Sequence, residues 1–140
     1  MSWIADGRTD EEILKAHGLR PTRQRLDLVR VIRKGGRRHL TPESFHRELA
    51  ESGLKFSLAT IYNSLNSFTD AGLLRRIGFG DRTWFCTNPA PHHHFFDEGS
   101  GRIEDIPGDQ PQVVGLPEPP DGMTVLGVEV IVRVKREGVG

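Results

Sequence analysis

Cysteine is nearly missing. Cys86 is the one thiol in 140 residues, so neither an internal disulfide nor a four-thiolate zinc site can be assembled. A reducing compartment, the cytoplasm, is the natural expectation. Long apolar runs are missing too: none approaches the roughly 18 residues of a membrane span. The first residues, Met1-Ser2-Trp3-Ile4-Ala5-Asp6, lack the basic and apolar regions of a signal peptide. There is no His-Glu-x-x-His, and the glutamate nearest the histidine cluster, Glu98, falls on an expected loop. Metal-dependent hydrolysis needs an open metal position and a placed general base, so the chain is not read as an enzyme.

An excess of either charge is also absent, since 19 Lys and Arg balance 19 Asp and Glu. The balance hides an asymmetry. Residues 1–88 carry 15 basic and 10 acidic side chains, and residues 89–140 carry 4 and 9. Eight of the basic residues, against the single acid Asp27, lie between Arg20 and Arg38. Such a block is either a solvated helix face or a surface that touches nucleic-acid phosphate.

The first part of the chain reads as four helices and a hairpin. Asp10 to His17 forms a short helix ended by Gly18. Pro21 suits the first position of a second helix, with Leu26, Val29 and Ile32 inward and Arg23, Arg30, Arg33 and Lys34 outward; Gly35-Gly36 stops it. A third begins at the cap Thr41, buries Phe45 and Leu49, and ends at Gly53. Ser57 caps a fourth, whose stripe is Leu58, Ile61, Leu65 and Phe68. Its other face shows Thr60, Tyr62, Asn63, Ser64 and Ser67, uncharged until Asp70. Short hydrogen-bonding groups of this kind suit base edges in a major groove. Leu73–Phe79 and Arg82–Thr87 then flank Gly80-Asp81, a two-residue hairpin signal. Arg75, Arg76 and Arg82 on that hairpin are expected to touch phosphates. The sum is a winged helix-turn-helix.

After Thr87 the composition changes. Asn88-Pro89-Ala90-Pro91 reads as a hinge. From Asp97 to Asp121 the chain is acidic with five prolines and resists a helix. Val128, Val130, Val132 and Val134 alternate along a final strand with one apolar face. A lone strand of this kind needs a partner, so a two-fold dimer is expected. The fold class is therefore α+β: a winged-helix DNA-binding domain over 1–88, a hinge over 89–92, and a small α/β or mostly β dimerisation and ligand-sensing domain over 93–140.

Half of the six histidines lie in Pro91-His92-His93-His94-Phe95-Phe96. In extended backbone His92 and His94 share a face and His93 points away. Three uses compete: a polar hinge, a divalent-metal site, or haem ligation beside the apolar wall of Phe95 and Phe96. His17 and His46, on helices, are read as structural or solvated.

The segments "GLRPTRQR", "HLTPESFHREL" and "SLATIYNSLNSFTDAGLLRR", followed by "HHH" after a wing, resemble the ferric uptake regulator family. "HHHFF" without a later Cys-x-x-Cys is most similar to the iron response regulators of alpha-proteobacteria, dimeric repressors or activators that follow iron through haem. The resemblance implies that Tyr62 contacts bases, that Arg20 reaches the minor groove, and that Asn63 replaces a usual arginine. With the outward Arg23, the cap Ser57 and Thr60, these make the expected DNA-binding set. It implies that His39 is a hinge-side metal ligand and Asp105 a later acidic one. Cys86 occupies the place of a metal-binding acid, and Phe95 and Phe96 replace an Asp and a His. The metal or haem candidates are thus His39, His92, His93, His94, Asp105 and Cys86, with no structural four-cysteine zinc. The expected function is a homodimeric transcriptional regulator of iron or haem homeostasis genes. It would bind a palindromic operator in double-stranded DNA and respond to haem or to a divalent ion such as iron or manganese. The alternative is a divalent-metal (iron, manganese or zinc) sensing repressor without haem.

Overall fold

Thr9, Thr22, Thr41 and Ser57 start the four helices. In the computed structural model, which describes residues 2–138, each of these side chains accepts a hydrogen bond from the backbone N–H three residues on. Those N–H groups would otherwise have no partner within the helix. The helices are α1 (Asp10–Ala16), α2 (Arg23–Lys34), α3 (Pro42–Glu51) and α4 (Leu58–Asp70). Thr9 with Glu12, and Thr41 with Ser44, close reciprocal capping boxes. Pro21 is not the first residue of α2. Thr22 is extended and takes the N–H of Arg25, and a bonded threonine cap sets the start two residues later than the proline.

The chain divides into two compact units, up to Ala90 and from Pro91 onward. In the first, Ile13 and Leu14 of α1, Leu28, Val29 and Ile32 of α2, Phe45 and Leu49 of α3, and Ile61, Leu65 and Phe68 of α4 are fully buried together. Each such side chain contributes about 1.5–3 kcal/mol of burial. Leu26 is only half-buried at the margin. Arg33 does not face out, as helical spacing suggests. Its guanidinium donates to the carbonyl oxygens of Asp6 (2.6 Å), Arg8 (2.8 Å) and Ile4 (3.3 Å) and to the Asp10 carboxylate (2.9 Å). The N-terminal segment is thereby held against α2, and Trp3, buried, donates its indole N–H to Leu73 O at 2.8 Å.

Strands β1 (His39–Leu40), β2 (Arg75–Phe79) and β3 (Arg82–Cys86) form an antiparallel sheet in the order β1-β3-β2. Phe79 opposes Arg82, leaving Gly80-Asp81 as the two-residue loop. Gly80 has φ +64° and Asp81 does not share a positive φ, the pattern of a turn that wants glycine first. Arg38 extends β1: its N–H donates to the Thr87 hydroxyl at 2.9 Å, and its carbonyl accepts from Thr87 N–H at 3.0 Å.

The second unit holds β4 (His94–Asp97), β5 (Arg102–Asp105) and β6 (Ile131–Val134), in the order β5-β4-β6. β4 and β5 are antiparallel, and the turn between them is closed by Asp97, whose Oδ1 accepts from Gly99 N–H at 2.9 Å. That bond leads the causes holding the Asp97 carboxyl below the usual carboxylate range. β6 runs parallel to β4. The expected strand from Val128 to Val134 thus forms only over its last four residues, and its ladder partner is β4 of the same chain. Between β5 and β6 the described residues have no helix or strand.

Candidate metal centre and nucleic-acid interface

β4 opens with His94, and the register sets His94 opposite Asp105 at the end of β5. His92 precedes the strand. Its Nε2 lies 2.8 Å from Asp105 Oδ1, and His94 Nε2 lies 3.2 Å from the same oxygen. The two imidazoles are tilted, with centroids 4.4 Å apart. His94 is fully buried and His92 nearly so. One donor atom from each of His92, His94 and Asp105 falls within 4.8 Å of the others. Two imidazoles and a carboxylate around one point suit a first-row divalent ion. The donor chemistry therefore fits a metal.

His93 is directed elsewhere. Its Nδ1 accepts the Val130 N–H at 2.9 Å, its own N–H donates to Gln110 Oε1 at 2.7 Å, and its carbonyl accepts from Ile106 N–H. It joins the lead-in of β6 to that of β4. In the first unit, β1 and β3 set His39 opposite Cys86. A donor atom of one lies within 4.8 Å of a donor atom of the other; Cys86 is buried and His39 half-buried. Phe96 is buried and Phe95 half-buried. His17 Nδ1 lies 2.8 Å from Ile13 O and His46 is exposed.

Residues of the expected DNA-binding face lie on or just before two helices. On α4 Tyr62 and Asn63 are exposed and Thr60 is half-buried. The Ser57 hydroxyl caps the helix and donates to Thr60 Oγ1 at 2.9 Å. Arg20 and Arg23 are exposed before and at the start of α2; the Arg20 carbonyl accepts from the Arg25 guanidinium. One assignment changes. Leu58, expected inside, is 39% exposed, next to Ala59 and Tyr62. It lies in the first helical turn, at the start of the stripe whose later members, Ile61, Leu65 and Phe68, are buried. Arg76 donates to Asn66 Oδ1 and lies 5.7 Å from the Phe85 ring centroid, so this hairpin arginine is tied to α4.

A helix pair, α3 and α4, followed by a two-stranded wing defines the winged helix-turn-helix class, here continued by a small sheet. A sequence profile describing the ferric uptake regulator family matches residues 16–115, and the chain belongs to that family. Among its relatives, the ferric uptake regulation protein of Shigella flexneri is 32% identical over 98 residues, covering 69% of this chain and 66% of that protein. That of Bordetella parapertussis is 36% identical over 86 residues, covering 61% and 62%. The matches thus span a little under two-thirds of these relatives. In fold, the chain is similar to a ferric uptake regulator of Pseudomonas aeruginosa solved with manganese: TM-score 0.68, 20% identity, 93% of this chain and 99% of that one. The Vibrio cholerae ferric uptake regulator gives 0.66 at 22% identity, covering 90% and 98%. A zinc-bound manganese uptake regulator gives 0.62 at 20% identity, covering 92% and 99%.

Proposed function

We propose that this chain is a homodimeric transcriptional regulator that binds duplex DNA through α4 and responds to a divalent metal ion held by His92, His94 and Asp105. The observation that carries the DNA reading is the open, uncharged face of α4. An ordinary solvated helix would carry Lys or Glu there; this one shows Leu58, Ala59, Tyr62 and Asn63. Arg23 supplies a phosphate contact, Arg20 reaches the minor groove, and two copies address a palindromic operator, where half-site spacing follows from the separation of two reading helices. Family membership and the likeness to regulators solved with manganese, with iron and with zinc support a divalent metal as the signal. His39 and Cys86 are proposed as further donors. The cytoplasm is the proposed compartment.

The coupling follows from chain order. His92 is the second residue of the second unit, so fixing its imidazole fixes the backbone where the chain leaves the reading unit. Metal acts through its differential affinity for alternative arrangements of that connection. Haem, the signal of the iron response branch, is the second reading, favoured by Phe95 and Phe96 beside two imidazoles. The shared carboxylate oxygen and the complete burial of His94 favour the smaller ion.

The test follows binding to promoter duplexes while Mn(II) and haem are added separately. Sequence-specific retention should change with Mn(II), and the Soret band of stoichiometric haem should neither shift nor sharpen when the protein is added. A His92→Ala/His94→Ala variant should keep apo DNA binding and lose the response. A normal Mn(II) response in that variant would remove the cluster from the mechanism.

A further inference from the structure

Leu58 is a leucine left at the surface where apolar spacing would put it inside, and it is not isolated. Leu58 and Tyr62 are four residues apart and lie along one line of α4, with Ala59 beside them. All three are exposed. Asn66 continues the line but its amide oxygen is taken by Arg76. Asn63 is the remaining exposed amide of the first two turns. No Lys or Arg occurs anywhere in α4, so the helix has no bidentate partner for guanine O6 and N7. Its first turns offer an apolar pad edged by one amide and by the hydroxyls of Ser57 and Tyr62.

Of the groups on a major-groove floor, one is apolar: the thymine C5-methyl. We propose that Leu58, with Ala59, is a specificity-determining residue that packs against a thymine methyl in each half-site, beside the base step covered by Tyr62. This rests on the proposed role of α4 as reading helix and adds a residue and a chemical group to it. Leucine in the first turn is suited to this position. It is past the capping Ser57, its neighbour Ile61 already anchors the helix in the core, and burying a bare methyl against it removes apolar surface of both partners from water.

The experiment uses the full chain with Mn(II) and a duplex library with a randomised core. Selected duplexes are resynthesised with deoxyuridine in place of each thymidine in turn, which removes one methyl and leaves pairing intact. For the unmodified protein, one or two positions per half-site should lose about fourfold in affinity, the value of one buried methyl. In Leu58→Ala, whose thermal unfolding should match the parent because Leu58 lies outside the core, the same positions should keep less than about half of that sensitivity. Uniform indifference to uracil in the unmodified protein overturns the proposal without recourse to any variant. Equal uracil sensitivity in both proteins overturns it as well, by assigning the methyl to another residue. Failure to enrich any sequence sinks the reading of α4 itself, and this inference with it.

Discussion

Asp105 holds the candidate centre together, because both histidine Nε2 atoms approach one of its oxygens. Asp105→Asn keeps its size and removes its charge. Mn(II) affinity measured by calorimetry should fall by at least the roughly 10–100-fold that losing even an outer partner of a metal ligand costs. The histidines were legible in the sequence: period-two alternation separates His92 and His94 from His93, and the structure agrees. Asp105 was legible only through family resemblance, since nothing in Arg102-Ile103-Glu104-Asp105 announces a strand among acids and prolines. Trp3 was not legible at all. Its partner, Leu73 O, is 70 residues away in sequence, beyond any local pattern. Trp3→Phe should lower stability by about 1 kcal/mol in urea unfolding, the net worth of the lost hydrogen bond.

Elements were easier to read than their neighbours. The helices came from caps and spacing, and three of the four starts fell where those signals put them. Arg33 misled because spacing assigns a face to a side chain but not what else covers it; here the N-terminal segment does. That segment has a pH signature. The Thr9 backbone N–H, then its hydroxyl, hold the Glu12 carboxyl below the ordinary glutamate range, and the Arg8 guanidinium does the same for Asp6. A depressed folded value means stability that is present above the unfolded value and lost as pH falls through the folded one. Hydrogen-exchange protection over residues 2–16, taken relative to the intrinsic rate at each pH, should therefore fall in acid before the core opens, and Glu12→Gln should flatten that dependence. Arg38 is a second element-level tie. It donates to Glu48 (2.6 Å) and to the Val31 (3.1 Å) and Ile32 (3.3 Å) carbonyls that end α2. Arg38→Ala should cost about 1.5–3 kcal/mol in chemical unfolding, the range for hydrogen bonds to a charged group.

For the whole molecule, the second unit leaves apolar surface open. Register puts Phe95, Val132 and Val134 on one face of its sheet, half-buried or exposed, and Val114, Leu116, Met123 and Leu126 are exposed in the connection before β6. A second copy is the proposed cover, as the valine alternation already suggested. Val132→Asp/Val134→Asp should shift sedimentation from the mass of two chains to that of one, with the first unit's helical signal unchanged. What the sequence did not disclose is that the last strand also has a ladder partner within its own chain; parallel pairing across a long connection leaves no turn motif to read.

That connection makes β6 a strand moored by four residue pairs at the far end of an irregular run from Ile106 to Val130. A single peptide-bond cut among its prolines would turn a tethered strand into a bimolecular ligand of its own sheet. Dilution alone should then release it, withdrawing the Val130 N–H from His93 and with it the backbone brace beside the imidazoles of His92 and His94.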